Sequence, residues 1–212
     1  MIITVDGPAA AGKGELTQRL AAHFGYARLD TGKLYRAVGL KVLGAGGDPE
    51  DEAAAVEAAR ALTGDDLEAP GLRSEDAALS ASKVAAIPAV RDVLLEFQRG
   101  FAAAPPGGAE GAVFDGRDTG TVVIPDAPAK LFLTASPEVR ATRRVKQLQE
   151  QGTEAIYGRV LQELKERDAR DTSRKVAPLK PAEDALVIDP SHLDADAVYA
   201  AALEFISAKA PD

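Results

Sequence analysis

Ile2-Ile3-Thr4-Val5-Asp6-Gly7-Pro8-Ala9-Ala10-Ala11-Gly12-Lys13 is the stretch of this 212-residue chain that decides its fold. Met1 to Asp6 reads as a short buried strand, with Ile2, Ile3 and Val5 ahead of a Gly-Pro turn. Glu15 to Phe24 then places Leu16, Leu20, Ala21 and Phe24 on one face, the spacing of a helix that ends near Gly25. A strand, a loop of small residues closing on Gly12-Lys13, and a helix make up a P-loop. Small side chains let successive backbone N–H groups turn inward as an anion nest, and the helix N-terminus adds its positive end. A plain strand-to-helix turn that merely uses glycine is the alternative. The spacing, the lysine and the flanking elements together favour the P-loop.

The expected ATP-binding segment is therefore Gly7, Pro8, Ala9, Ala10, Ala11, Gly12, Lys13, Gly14 and Glu15, with Lys13 reaching the β- and γ-phosphates. Its last residue is irregular, because Ser or Thr normally follows the lysine of this motif. A carboxylate suits the start of a helix but repels an α-phosphate close by. Glu15 either points away or replaces a hydroxyl contact at some cost in ATP affinity.

The remaining chain alternates strands and helices. Tyr26 to Leu29 reads as a second strand, followed by helices over Leu34 to Leu43, Glu50 to Leu62, Ser74 to Ala86 and Ala89 to Phe101, the last opened by Pro88. Ala102 to Gly111 is a Pro- and Gly-rich connection. Ala112 to Asp115 and Ala129 to Thr134 are strands around a loop from Gly116 to Pro128. Helices follow from Pro137 to Gln151 and from Glu154 to Asp171, then a strand at Leu186 to Asp189 and a helix at Asp194 to Ala208. This order predicts an α/β layer structure with a mainly parallel sheet.

Composition narrows the function classes. A net charge of −8 argues against coating a nucleic-acid polymer, which needs an excess of Lys and Arg. No apolar run reaches the ~20 residues of a membrane helix. The absence of cysteine removes disulfides, thiolate metal sites and a cysteine nucleophile. His23 and His192, far apart, do not suggest a histidine metal site. These features fit a cytoplasmic protein without membrane or polymer partners, expected to be a monomer.

A P-loop leaves motors, GTPases, ABC-type ATPases and small-molecule kinases open. Asp30-Thr31-Gly32-Lys33-Leu34-Tyr35-Arg36 follows the second strand, and Asp115-Gly116-Arg117-Asp118-Thr119-Gly120-Thr121 the third. Ligands of open α/β sheets sit outside the carboxyl ends of strands, so both loops are expected to face the phosphate site. Asp115 is placed like a Walker-B acid that holds Mg²⁺ through water. Arg36 and Arg117 are candidates to clamp an acceptor phosphate. A switch GTPase needs an Asn-Lys-x-Asp element, which the chain lacks.

The chain resembles the bacterial cytidylate kinases over nearly its whole length. The resemblance rests on Gly7 to Gly14, Asp30 to Arg36, Ala81-Ser82-Lys83-Val84-Ala85 through Pro88 and Arg91, Asp115 to Asp126-Ala127, and Arg167-Asp168 through Arg174 to Ala177-Pro178-Leu179. It implies ATP and CMP or dCMP as substrates, with Mg²⁺. It gives Thr31, Tyr35 and Arg36 the phosphate and sugar side of CMP, and Ser82, Arg91 and Asp118 the cytosine. Arg117, Arg167 and Arg174 would grip phosphates and Asp171 would meet the ribose. Lys13, Asp115, Arg117, Arg167 and Arg174 form the implied catalytic set. A carboxylate accepting from the cytosine amino group would be repelled by O4 of uracil, which accounts for discrimination. Arg140, Arg143 and Arg144 resemble lid arginines that close over ATP. The other reading of Arg140 is a basic helix face paired with Glu138 and Glu150.

Related nucleotide kinases commonly read Gly-Lys-Gly-Thr, which leaves Glu15 as the departure. The acceptor-binding insertion is a second one. Gly64 to Arg73 is too short and too poor in β-formers for a small sheet, so the insertion is reduced to helices, and Arg73 loses its scaffold. The expected organisation is one nucleoside monophosphate kinase domain, 1–212. Its core spans 1–36 and 102–212 with a lid near 140–175, and the insertion spans 45–100. Alternatives are a kinase of another small acceptor, such as UMP or shikimate, and a slow P-loop regulatory module.

Overall fold

β1, Ile2–Asp6, leads through the glycine- and alanine-rich loop into α1, Lys13–Phe24. The structure, a computed structural model, describes residues 1–72, 74–150 and 152–209. After α1 come β2 (Ala27–Asp30), α2 (Thr31–Gly44), α3 (Glu52–Arg60), α4 (Glu75–Val84) and α5 (Pro88–Ala103). The chain continues with β3 (Ala112–Gly116), β4 (Ala129–Leu133), α6 (Pro137–Glu150), α7 (Tyr157–Ser173), β5 (Leu186–Ile188) and α8 (Ala195–Ser207). The strands lie in the order β2-β3-β1-β4-β5, and the pairs β1/β3, β1/β4 and β4/β5 are parallel. The expected α/β architecture holds.

Local chemistry sets the helix ends. The side chains of Asp30, Asp51, Ser74 and Asp194 accept backbone N–H groups at the starts of α2, α3, α4 and α8. Each such cap is worth about 1 kcal/mol. Pro88 opens α5 where its missing N–H costs nothing, and Gly25 ends α1 in the left-handed conformation.

The chain divides into two compact units, one of Met1–Leu29 with Pro105–Asp212 and the other Asp30–Ala104. In the first, α1 and α8 pack on the sheet through Leu16, Leu20, Val198 and Ile206 against Ile3, Val5, Leu131 and Leu133. A smaller cluster of Ala141, Leu148, Val160 and Leu164 joins α6 to α7. The second unit has its own core around Leu34, Val38, Val42, Ala55, Val84 and Leu94. After the end of β2 at Asp30, its described residues form four helices joined by loops, with a 3₁₀ turn at Asp65–Leu67 between α3 and α4 and no further strand, in keeping with a reduced insertion. Arg73 lies outside the described residues.

One element is new. The connection expected as a loop from Gly116 to Pro128 contains a π-helical turn, Thr119–Val123. Its wide bonds run from Val123 N–H to the Asp118 carbonyl and from Ile124 N–H to the Thr119 carbonyl. Five residues are too few to show a hydrophobic period, so the sequence pattern carries no sign of it.

Candidate active site

β1 is flanked on one side by β3 and on the other by β4, so the P-loop leaves the sheet where its order reverses. Gly7 adopts φ +144°, and a Cβ there would lie 2.1 Å from the Leu133 carbonyl oxygen. No other residue fits this turn. Ala10 (φ 59°) and Gly12 (φ 100°) are left-handed, the kind of backbone from which anion nests are built. Lys13 is 5% exposed, and its ammonium donates to the Pro8 carbonyl at 2.7 Å. Burial and then the Arg117 charge pull its pKa down to about 7, against the opposing pull of Asp115 and Asp6.

Asp115, the next-to-last residue of β3, is almost buried, with an Arg28 nitrogen 3.5 Å from its Oδ2. Arg28 Nε also donates to Thr17 Oγ1 at 2.9 Å, and that hydroxyl donates to the Gly14 carbonyl at 3.1 Å. The sequence reading missed Arg28 and Thr17. A basic residue inside a short predicted strand was the available signal for Arg28. Among the described residues no group of three or more His, Asp or Glu is placed to hold a metal. A single hard carboxylate suits Mg²⁺, which is held chiefly by substrate phosphates and water.

Three expected phosphate-binding arginines converge on one carboxylate. Asp171, only 1% exposed, has Arg117 Nε at 3.4 Å, Arg167 Nε at 3.9 Å and Arg174 in a close ion pair. The Leu179 N–H donates to the Asp171 carbonyl at 2.9 Å. This bond, with Ala177 at φ 54°, is the work of the Ala-Pro-Leu segment. It ties the end of α7 to the chain that follows.

The α6 arginines separate into different roles. Arg140, resembling a lid residue in sequence, is 2% exposed and acts as a strut. It donates to the carbonyls of Ala135 and Ala9 and pairs with Asp168 on α7. Glu138 and Glu150 instead pair with Lys165 and Lys146, so the reading of Arg140 as a basic helix face paired with them does not hold. Arg143 donates to the Pro190 carbonyl at 2.6 Å. It borders a cavity of about 210 Å³ together with Gly12, Glu15, Leu16, Pro190 and Val198. Arg144 bonds Gln147 along its own helix.

In the second unit, Thr31, Tyr35 and Arg36 share the first turns of α2. Asp30 caps the Lys33 N–H with one oxygen and pairs with Arg36 at 2.7 Å with the other. The Arg91 guanidinium lies 5.7 Å from the Tyr35 ring centroid, and both Arg91 and Ser82 are buried. A wider groove of about 860 Å³ along α3 contains none of the expected site residues.

A nest with a buried lysine, an acid at the adjoining strand end and a fan of arginines define the class: a P-loop kinase. The cytidylate kinase family model matches residues 3–208, and the chain belongs to that family. A cytidylate kinase of Paramagnetospirillum magneticum is 62% identical over 208 residues, spanning 98% of each chain. One from Methylocella silvestris is 53% identical over 97% of this chain and 94% of its own. One from Rhodospirillum rubrum is 52% identical over 99% and 98%. Among solved structures, an uncharacterised protein from Eubacterium ventriosum shares the fold, with a TM-score of 0.53 at 14% identity and 98% coverage of both chains. A sugar kinase from Janibacter sp. does so at 0.50 and 15%, covering 100% of this chain and 98% of its own.

Proposed function

We propose that this protein transfers the terminal phosphoryl group of ATP to CMP and dCMP, yielding ADP with CDP or dCDP. The observation that carries the reading is the convergence of Arg117, Arg167 and Arg174 on Asp171 in a chain that belongs to the cytidylate kinase family. Phosphoryl transfer depends on positioning and on neutralising charge spread over the phosphoryl oxygens, and it requires little covalent chemistry from the protein. A rigid fan of guanidinium groups supplies that field without reorganisation.

The P-loop from Gly7 to Glu15 would cradle the donor phosphates, with Lys13 on the β- and γ-groups. The 210 Å³ cavity beside Arg143 supports an adenosine moiety on that side, and Arg144 would approach from the same helix. Asp115 would hold Mg²⁺ through water, and the ion would add charge neutralisation at the phosphates. For the acceptor, Thr31, Tyr35 and Arg36 would take the phosphate and sugar, Ser82, Arg91 and Asp118 the cytosine, and Asp171 the ribose. Arg167 and Arg174 would then share the acceptor phosphate with Arg117. We further propose that the protein is a cytoplasmic monomer forming one domain with a lid near 140–175.

ADP release with ATP and Mg²⁺ against CMP, dCMP, UMP, AMP and shikimate tests the reading. CMP and dCMP should stimulate turnover strongly, and no stimulation above background hydrolysis would sink it. Replacing Asp118 with Ala should impair CMP use and weaken discrimination against UMP. An unchanged preference would remove Asp118 from the base site.

A further inference from the structure

Asp6 ends β1, directly before the P-loop, and is 4% exposed. Its carboxylate spends its oxygens on a segment 113 residues later. One oxygen accepts from the Thr119 N–H at 2.9 Å and from the Thr119 hydroxyl at 2.8 Å, and the other accepts from the Gly120 N–H at 2.8 Å. Parallel pairing sets Asp6 opposite Gly116, so β1 and β3 leave the sheet side by side. Just beyond Asp118, the π-helical turn returns the N–H groups of Thr121, Val122 and Val123 to the Asp118 carbonyl, at 3.3, 2.9 and 3.2 Å. The backbone at Asp118 is therefore held from both sides. Space is closed as well: a Cβ on Gly120 would meet the Thr4 hydroxyl at 2.7 Å and Lys130 at 3.3 Å.

We propose that Asp6 is a positioning residue for acceptor recognition: its buried carboxylate fixes the Arg117-Asp118-Thr119 segment and so sets the direction in which Asp118 is presented. This rests on the reading of Asp118 as the cytosine-reading residue. Asp6 itself touches neither substrate. A carboxylate is required because all three of its partners are donors, and an amide would set its own NH₂ against one of them. Desolvation raises the Asp6 carboxyl to about 6, against the lowering effect of the Gly120 and Thr119 bonds.

The test is the set D6N, T119V and T119S, with Michaelis constants for CMP, UMP and ATP, kcat, and thermal midpoints. D6N should lower the CMP-to-UMP ratio of kcat/KM by about tenfold; because the Asp6 charge also helps Lys13 keep its proton, the ATP KM rises as well, and the ratio between the two acceptors is the readout that isolates the positioning role. T119V, which keeps the N–H but loses the hydroxyl, should move the same ratio by roughly two- to fivefold. T119S should track the wild type. Amide exchange at Thr119 and Gly120 should accelerate in D6N while P-loop amides stay protected. A D6N protein with a lower midpoint but an unchanged CMP-to-UMP ratio overturns the proposal. If D6N does not fold, equal selectivity in T119V and T119S overturns it. CMP turnover absent from the wild type refutes the functional reading and this proposal together, whereas altered turnover confined to the variants separates them.

Discussion

Lys13 lies almost buried, with Arg117 and Arg167 acting to discharge it and Asp115 and Asp6 to keep its proton. Its folded-state pKa of about 7 stands below the ordinary 10.5. Between these values the unfolded chain binds more protons than the folded one, so Lys13 makes stability rise as pH climbs through that window. Donor phosphates favour the charged ammonium, so ATP binding should draw a proton into the site. Calorimetry near pH 8 in two buffers of different ionisation enthalpy should report an uptake approaching one proton in the wild type. K13R, whose guanidinium stays charged, should lack that uptake, and equal uptake by both proteins would exclude Lys13 as its source. Ala10 carries a second residue-scale signature. Left-handed backbone at φ 59° costs an alanine about 1–2 kcal/mol, while glycine's freedom in the unfolded chain returns roughly 0.5–1 kcal/mol of that. A10G should therefore stabilise by about 0.5 kcal/mol in urea unfolding. A clear loss would mean that contacts of the Ala10 methyl outweigh the strain.

Among the elements, α6 combines a strut, Arg140, with Arg143, which borders the cavity beside the P-loop. Arg140 joins α6 to Asp168 of α7 and to the Ala9 carbonyl of the P-loop. Truncating it leaves a partly buried carboxylate and two carbonyls without their donor, a change that costs about 3 kcal/mol or more. R140A should lower the urea midpoint accordingly. R143A should cost less than about 1 kcal/mol, because Arg143 makes one backbone bond, yet raise the ATP KM if the cavity it borders takes the donor as proposed. Equal stability losses in the two variants would contradict this division.

For the whole molecule, two cores imply two separable sensitivities. Leu94, 2% exposed, belongs to the core of Asp30–Ala104, while the P-loop belongs to the unit containing the sheet. L94A should destabilise by about 2–4 kcal/mol. It should raise the CMP KM through the helices that carry Tyr35, Arg36, Ser82 and Arg91, with ATP affinity held within about twofold. Parallel loss of ATP affinity would show that the two cores are energetically one.

Most of the fold was legible because its signals are local. Apolar spacing marked α1, Pro88 the start of α5, Gly25 the end of α1, and short, largely apolar runs the strands. The small residues up to Lys13 marked the proposed phosphate site in the same way, since a nest is built from consecutive residues. Glu15 is likewise visible in sequence as the loop's departure, and the fold sets it beside the cavity that Arg143 borders. What the tertiary structure alone decided are the partners of long or buried charged side chains. An arginine or a carboxylate bonds whatever the returning chain brings near it, and sequence spacing does not encode that. Arg140 thus became a strut, Arg28 reached Asp115, and Asp171 gathered three arginines. Asp6 read as the last residue of a strand, and only the parallel pairing of β1 with β3 placed it beneath Thr119 and Gly120. The sequence by itself determined the strand, loop and helix of the proposed phosphate site. The folded chain determined how the residues around that phosphate are held, because their partners are distant in sequence and are selected by packing.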